Sequence, residues 1–185
     1  MERSSITKRG RNRLNLEGGT GTVDGLYTDA NVRKARISDV CGIQHLVNYF
    51  ADRGEMLHRP LSEIYENLRD YYVVTEGDKL VACCALHINW ADLVEIKALA
   101  VAEDWQRKGV GSALIKACLM EARELGLGTI YALTAKPAFF ESLGFVRVEV
   151  DQLPRKVWGE CFRCVKFPNC DEVAVVFSVS TVEGV

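Results

Sequence analysis

A strand-like stretch and the glycine turn after it decide the fold: Leu93-Val94-Glu95-Ile96-Lys97-Ala98-Leu99-Ala100-Val101, then Gln106-Arg107-Lys108-Gly109-Val110-Gly111-Ser112. The apolar positions that follow the turn, up to Leu125, have the spacing of an amphipathic helix. Backbone N–H groups at a helix N-terminus bind phosphate well, and glycines let the ligand approach the backbone. The pattern predicts a strand, an anion-binding loop and a helix, with an ordinary tight turn as the alternative.

Strand-like and helix-like patterns alternate on both sides of this unit. A hairpin is predicted around the Glu76-Gly77-Asp78 turn. The predicted strands cover residues 32–36, 71–75, 80–88, 93–101, 129–133, 145–150 and 173–179, and the predicted helices begin after an N-cap at Ser38, at Pro60, at Gly109 and at Pro137. This order predicts an α/β (α+β) fold with a mixed, twisted sheet of six to seven strands and about four helices.

Composition sets the domain organisation. The chain has 185 residues, enough for one domain, and residues 1–31 are polar and glycine-rich with few bulky apolar side chains. We expect a disordered tail over 1–31 and one folded domain over 32–185, which includes a cysteine-containing loop at 151–172 and a closing strand at 173–179. A transit peptide is the alternative for the tail, and Glu2 and Glu17 fit it poorly.

Charge and cysteine content restrict partners and compartment. The net charge of −2 argues against a nucleic-acid binder, and no apolar run is long enough to span a membrane. Seven cysteines, an odd number without an apolar signal segment, favour a reducing cytoplasm. Cys161, Cys164 and Cys170 form a C-x2-C-x5-C pattern, for which the alternatives are a thiol-rich turn without metal and a zinc site that needs a fourth ligand.

Two ordered motifs carry a family resemblance. The strand ending in Leu-Ala-Val and the Q-x-x-G-x-G turn come first, and Ala138-Phe139-Phe140-Glu141-Ser142-Leu143-Gly144-Phe145 follows in the order A-x-F-E-x-x-G-F. From about residue 32 to 150 the chain resembles the GNAT acetyltransferase superfamily. The resemblance implies a GNAT fold, splayed central strands that form a binding site, and acetyl-CoA as cosubstrate.

The resemblance also implies cofactor-binding residues. The strand would offer its edge to the pantetheine arm through Leu99, Ala100 and Val101, and Phe140 would lie near the thioester. The loop would hold the pyrophosphate through its backbone, and its residues are Gln106, Arg107, Lys108, Gly109, Val110, Gly111 and Ser112.

Glu95 is the predicted catalytic residue. Acyl transfer to an amine needs a group that accepts the ammonium proton, and strand alternation predicts that Glu95 shares a face with Lys97 and Leu99. A solvated strand carboxylate paired with Lys97 is the alternative. Phe140 stands where related enzymes often have a tyrosine that protonates the leaving thiolate, and Tyr131 is a candidate substitute or else a core residue.

The acceptor is predicted from residues 52–60, which resemble a turn of the bacterial glutamate N-acetyltransferases. That resemblance implies that Arg59 binds the substrate α-carboxylate, with Lys97 and His58 near the side chain. A surface arginine before the second helix is the alternative.

The expected function is N-acetylation of an amino acid, glutamate first, as in arginine biosynthesis. The alternatives are acetylation of another small or protein amine, and a non-catalytic CoA-binding or thiol-sensing module.

The expected partners are acetyl-CoA and a small-molecule amine. Association into a homodimer is left open, and neither nucleic acid nor a membrane is expected as a partner. No resident metal is expected, the zinc alternative at the cysteines aside.

Overall fold

The computed structural model describes residues 32–153 and 170–179. Seven strands and four α-helices lie within these ranges, which confirms the predicted counts and the GNAT fold. The strands are β1 (Val32–Lys34), β2 (Tyr71–Glu76), β3 (Lys79–Trp90), β4 (Leu93–Val101), β5 (Thr129–Thr134), β6 (Val146–Val148) and β7 (Val173–Ser178). The helices are α1 (Val40–Ala51), α2 (Leu61–Glu66), α3 (Val110–Glu124) and α4 (Pro137–Glu141).

The strands form one mixed sheet in the order β1-β2-β3-β4-β5-β7-β6. Only β4 and β5 run parallel to each other, and the other neighbouring pairs within the described sheet are antiparallel. The parallel pairing covers Leu93, Val94 and Glu95 opposite Thr129, Ile130 and Tyr131. Because β4 continues to Val101 and β5 to Thr134, the two strands separate beyond this short pairing. The predicted splay of the central strands is present.

Helices cover both faces of the sheet. Helix α3 buries Leu114, Ile115 and Cys118 in the larger core cluster, together with Val94 and Ile96 of β4. Helices α1 and α2 cover the opposite face, where Val47 and Ile64 pack on side chains of β2 and β3. The sheet is therefore held from both sides along β2 to β4, while the gap between β4 and β5 stays open.

Several element ends differ from the sequence-based prediction. Ser38 lies inside a 3₁₀ turn (Ile37–Asp39), and α1 begins after Asp39, so the prediction of Ser38 as N-cap was wrong. Asp39 instead accepts a hydrogen bond from the backbone N–H of Arg36 (2.7 Å) and a bidentate pair from Arg33 (2.7 and 2.9 Å). The predicted strand at 145–150 is shorter, because a second 3₁₀ turn begins at Val150.

Two features lie partly or wholly outside the described residues. The predicted tail over 1–31 lies wholly outside them. The predicted cysteine-containing loop lies partly outside them, over residues 154–169. Among the described residues, no helix has both the length and the apolar character needed to cross a bilayer.

Candidate active site

A cleft of about 700 Å³ opens where β4 and β5 separate. Its floor is β4 from Glu95 to Val101, and its second wall comes from β5 and the start of α4. One end reaches the loop before α3, which we call the donor half, and the other end reaches residues 55–59, which we call the acceptor half. The cleft thus joins the two predicted binding regions.

A β-bulge in β4 shapes the floor of the cleft. Cys83 pairs with Ala100 while Ala85 pairs with Lys97, so β4 has one more residue than β3 between these pairs. Ala98 adopts a positive φ of 52°, which bends the strand there. The bulge reverses the side-chain alternation, and as a result Leu99 packs in the same cluster as Ile96. The prediction that Leu99 shares a face with Glu95 was therefore wrong.

Backbone conformation builds the donor half. Gly109 caps α3 with a φ of 82°, and Arg107 also has a positive φ of 59°. The first backbone hydrogen bond of α3 is donated by the N–H of Ala113 to the carbonyl of Gly109 (2.9 Å). The preceding N–H groups at the N-terminus of α3 face the helix end, where the helix dipole favours an anion. This arrangement can bind a phosphate.

Side chains fix this loop in place. Gln106 Nε2 donates a hydrogen bond to the Val101 carbonyl (3.0 Å), which ties the loop to the end of β4. The ammonium of Lys108 lies over the Trp105 ring, 5.4 Å from its centroid. Val110 is buried in the core, so its contribution to a ligand is restricted to its backbone.

Two phenylalanines close the wall opposite the donor loop. A Cβ added to Gly111 would lie 3.3 Å from Phe139 Cζ, so the glycine allows the ring to approach α3. Phe140 is buried and packs edge-to-face on Phe139 and Phe145, with centroid distances of 5.3 and 5.2 Å. Phe140 lines the cleft but has no ionisable proton, whereas Tyr131 brings a buried hydroxyl-bearing side chain to the same cleft.

Glu95 is one of two charged side chains that are buried among the described residues, and the other is Asp39. Asp39 lies in the bidentate pair with Arg33, which holds the pKa of Asp39 below its usual value and gives it a structural role. Glu95 is 8% exposed, lines the cleft, and lies opposite Tyr131 in the register of β4 with β5. A buried carboxylate in a ligand-sized cleft is suited to proton transfer.

Arg59 and Lys97 bring positive charge to the acceptor half, and both line the cleft. The backbone N–H of Arg59 donates to Asn48 Oδ1 of α1 (2.9 Å), which fixes the segment before α2. Arg59 Nη1 is paired with Glu63, and the Arg59 side chain is 18% exposed. Burial raises the pKa of Tyr71, which lies close enough to Arg59 for the guanidinium to oppose that shift. Arg59 is therefore a half-buried cleft residue rather than a freely solvated surface arginine.

Some cleft residues were missed by the sequence analysis. Among them, Lys136 forms an ion pair with Glu55 (2.8 Å) that connects the loop after α1 to the second wall of the cleft. Further missed lining residues include Phe50, Met56, Leu57, Leu133, Thr134, Ala135 and Glu172. No local motif marks these positions, because the splay of two strands and the position of β7 bring them together.

Only part of the cysteine motif can be placed. Cys170 is exposed and lines the cleft, whereas Cys161 and Cys164 lie outside the described residues. Within 32–153 and 170–179, no group of three or more histidine, cysteine or acidic side chains is arranged to hold a metal ion.

Comparison with known proteins identifies the family. Residues 37–145 match the model of the Acetyltransferase (GNAT) family, which is more than half of the chain. The chain belongs to the GNAT acetyltransferase family. It is accordingly an acetyltransferase, and acetyl-CoA, the acetyl donor of this family, is confirmed as its cosubstrate.

Three relatives of this GNAT domain are informative. An uncharacterized N-acetyltransferase of Chlorobaculum tepidum is 34% identical over 148 residues, covering 80% of this chain and 96% of the relative. An amino-acid acetyltransferase of Mycobacterium tuberculosis is 36% identical over 135 residues, covering 71% and 77%. The crystal structure of Rv2747 from Mycobacterium tuberculosis, a complex with CoA, superposes with a TM-score of 0.70 at 30% identity and covers 80% of this chain and 98% of that one.

Proposed function

We propose that this GNAT domain transfers the acetyl group of acetyl-CoA to the α-amino group of an amino acid, with L-glutamate as the first candidate. In that case it catalyses the first step of arginine biosynthesis, in the cytoplasm. The amino-acid acetyltransferase from Mycobacterium tuberculosis supports the choice of an amino acid as acceptor. The observation that carries the proposal is the presence of Glu95, Arg59 and Lys97 in one cleft with the donor loop.

The acceptor half suits an amino acid because it contains side chains of both charge signs. An amino acid has a carboxylate and an ammonium on the same carbon, so its site needs a cation and a proton acceptor close together. Arg59 would bind the carboxylate through guanidinium N–H groups other than the one that pairs with Glu63. Lys97, on the strand that also bears Glu95, would attract the second carboxylate of glutamate.

Proton removal comes first in the proposed mechanism. An ammonium has no lone pair, so Glu95 accepts a proton from it, directly or through one water molecule. The neutral nitrogen then attacks the thioester carbonyl and forms the new C–N bond, and the nitrogen, now positively charged, releases its second proton to water so that a neutral amide forms. When the C–S bond breaks, the electron pair leaves with the sulfur as a thiolate. Pre-positioning of the two substrates in one cleft lowers the entropic cost of this step.

The leaving thiolate has two routes to a proton. Phe140 cannot supply one, since its side chain is a hydrocarbon packed between Phe139 and Phe145. Tyr131 lines the cleft beside Glu95 and is the candidate proton donor. The second route is release as a thiolate that water protonates afterwards, because an ordinary thiol, with a pKa of about 8.5, forms a fairly stable anion.

A second candidate acceptor is an amine without a carboxylate. Glu55 and Glu172 line the same cleft, and acidic side chains would suit a second cationic group on the substrate. The ammonium of Lys136 offsets the negative charge of Glu55, so the amino acid is the stronger candidate acceptor. The cysteine-based sensor alternative has no support from the family, whose members are acetyltransferases.

A screen for CoA release tests the proposal. Purified protein is supplied with acetyl-CoA and, one at a time, with the protein amino acids, polyamines and simple primary amines. We expect the highest kcat/KM with glutamate or a close relative of it, and little turnover with polyamines. A preference for a polyamine or a peptide amine would overturn the proposed acceptor while leaving the acetyltransferase assignment intact.

A further inference from the structure

His87 lies directly beside the proposed base. It is on β3, and its partner in the antiparallel register with β4 is Glu95. Directly opposite residues in such a pair point to the same face, with Cβ atoms about 5 Å apart. The preceding residue, Leu86, packs in the α3 cluster on the other face. His87 therefore shares the face of Glu95, although it is not among the residues that line the cleft.

The His87 ring is held by a second carboxylate. Its Nδ1 lies 2.6 Å from Asp70 Oδ2, at the end of the 3₁₀ turn Leu68–Asp70 that precedes β2. With Nδ1–H donating to Asp70, the neutral ring has Nε2 as its proton acceptor. The side chains of His87 and Asp70 are 26% and 25% exposed, compared with 8% for Glu95. A path from Glu95 to His87 thus leads from a buried group towards solvent.

The surroundings of His87 contain few other titratable groups. The neighbouring elements are β2, β4 and the 3₁₀ turn, and their charged or titratable residues near this position are Arg69, Asp70, Tyr71, Glu95 and Lys97. Tyr71 pairs with Ala85, two residues before His87, and burial raises its pKa, so it stays neutral. Glu95 and Asp70 are the two carboxylates of this set, Glu95 on the neighbouring strand β4 and Asp70 at the end of the turn before β2.

We propose that His87, oriented by Asp70, takes the proton from Glu95 after each acceptor deprotonation and releases it to solvent. The inference rests on the proposed function, because it takes Glu95 to be the base. The proton leaves the Glu95 carboxyl group and binds His87 Nε2, directly or through one water molecule. It then passes from the imidazolium to bulk water, which leaves Glu95 ionised for the next acceptor. No other reactant is needed.

This route answers a requirement of the cleft. With both substrates bound, the opening between β4 and β5 is filled, and a buried carboxylic acid exchanges its proton with solvent slowly unless a second group connects them. His87 offers that connection from the side of β3, away from the bound substrates. It is a positioning residue of the proton path, since it acts through Glu95.

Kinetics of His87 and Asp70 variants test the proposal. We expect His87→Gln to lower kcat about 10- to 100-fold and to leave the KM of acetyl-CoA unchanged. This loss is at or below the lower end of what an acid–base group usually contributes. Imidazole added to His87→Ala should restore part of the lost kcat. Asp70→Ala should lower kcat in the same direction, because the imidazole loses the partner that fixes its orientation and tautomer. His45→Gln, at an exposed position of α1, is the matched control and should behave as the wild type.

The outcomes separate this inference from the proposed function. If Glu95→Gln is strongly impaired but His87→Gln keeps the wild-type kcat and pH profile, the proton path is wrong and the base stands. If His87→Gln loses activity together with thermal stability, imidazole does not rescue His87→Ala, and Asp70→Ala keeps the wild-type kcat, the pair is structural and the inference is overturned. If Glu95→Gln retains full activity, the proposed base itself fails, and the path from it fails with it.

Discussion

The donor half and the acceptor half of the cleft are built in different ways. The donor half uses the backbone of one continuous segment, from the β4 edge through the turn at Gly109 to the N-terminus of α3. The acceptor half uses side chains from separate segments, among them Arg59 before α2, Lys97 on β4 and Glu172 before β7. In the proposed function, the first half binds the constant ligand, acetyl-CoA, and the second selects the acceptor.

This contrast explains how one fold can serve different acceptors. A backbone site depends on φ angles and glycines, so substitutions elsewhere in the chain leave it intact. A side-chain site changes with each residue that contributes to it. We therefore expect substitutions in one half to affect one substrate and to leave the other substrate's affinity almost unchanged, with Glu95 as the group that links both halves to the reaction.

The largest effect is expected at Glu95. Glu95→Gln keeps the shape of the side chain but cannot accept a proton, so kcat should fall by ~10²–10⁴ at neutral pH. The deficit should shrink as the pH rises, because more of the amino acid then arrives without its ammonium proton. Initial rates of CoA release as a function of pH measure both effects.

A matched carboxylate controls for the loss of charge. Glu76→Gln removes an exposed carboxylate at the end of β2, outside the cleft, and should leave kcat unchanged. Acetyl-CoA affinity, measured by calorimetry, should also be unchanged in Glu95→Gln. A Glu95→Gln enzyme with a normal rate, or one that fails to bind acetyl-CoA, would contradict the assigned role.

The next largest effect is expected at Gly109, where a valine would have to adopt a φ of 82° in the loop that is proposed to hold the pyrophosphate. Gly109→Val should raise the Kd of acetyl-CoA about 10-fold or more, because a β-branched residue avoids this left-handed conformation, whose strain is on the order of 1–2 kcal/mol, and the loop N–H groups then move out of position for the ligand. The KM of the amino acid should stay within about twofold, because the altered segment lies in the donor half.

Gly126→Val is the control for strain alone. Gly126 also has a positive φ of 72°, lies at the far end of α3, and has open space where a Cβ would be placed. Its variant should lose stability to a similar degree but keep its affinity for acetyl-CoA. Equal losses of affinity in the two variants would show that the Gly109 effect comes from the helix and not from the binding loop.

The smallest effect is expected at an exposed ion pair that connects residues 52–60 to the second wall of the cleft. Lys136 and Glu55 form an ion pair across the cleft, and their side chains are 69% and 37% exposed. Such pairs contribute less than about 1 kcal/mol, so Glu55→Gln should change the melting temperature and both KM values little. A large change in either KM would show that the halves are coupled through residues 52–60. The double variant E55K/K136E should then restore the wild-type values.

The sequence predicted the strand, turn and helix of the donor half well, because the signal of each is local. Strand β4 was predicted with its observed ends, and the turn at Gly109 lies where the glycine spacing placed it. The prediction of the whole element order succeeded for a similar reason, since each element has its own periodicity. Errors were confined to element ends, such as Ser38, where Asp39 competes for the capping position.

The acceptor half was predicted only in part, because its signal is not local. The bulge at Ala98 inverts the alternation of β4, and an isolated alanine gives no sign of a positive φ. The insertion of β7 between β5 and β6 brings Glu172 to the cleft, and strand order cannot be read from periodicity. Glu95, Lys97 and Arg59 were found through proton chemistry and family resemblance rather than through pattern.

Steady-state kinetics of Arg59→Ala test the separation of the two halves most directly. The variant loses a charge-assisted hydrogen bond to the α-carboxylate, so the KM of glutamate should rise roughly 10- to 100-fold. The KM of the α-amide of glutamate should rise much less, and the KM of acetyl-CoA should stay within about twofold of the wild-type value. Arg123→Ala, at an exposed position of α3, should match the wild type. Equal losses for glutamate and its α-amide, or a comparable rise in the KM of acetyl-CoA, would contradict the assignment of Arg59 and the division of the cleft.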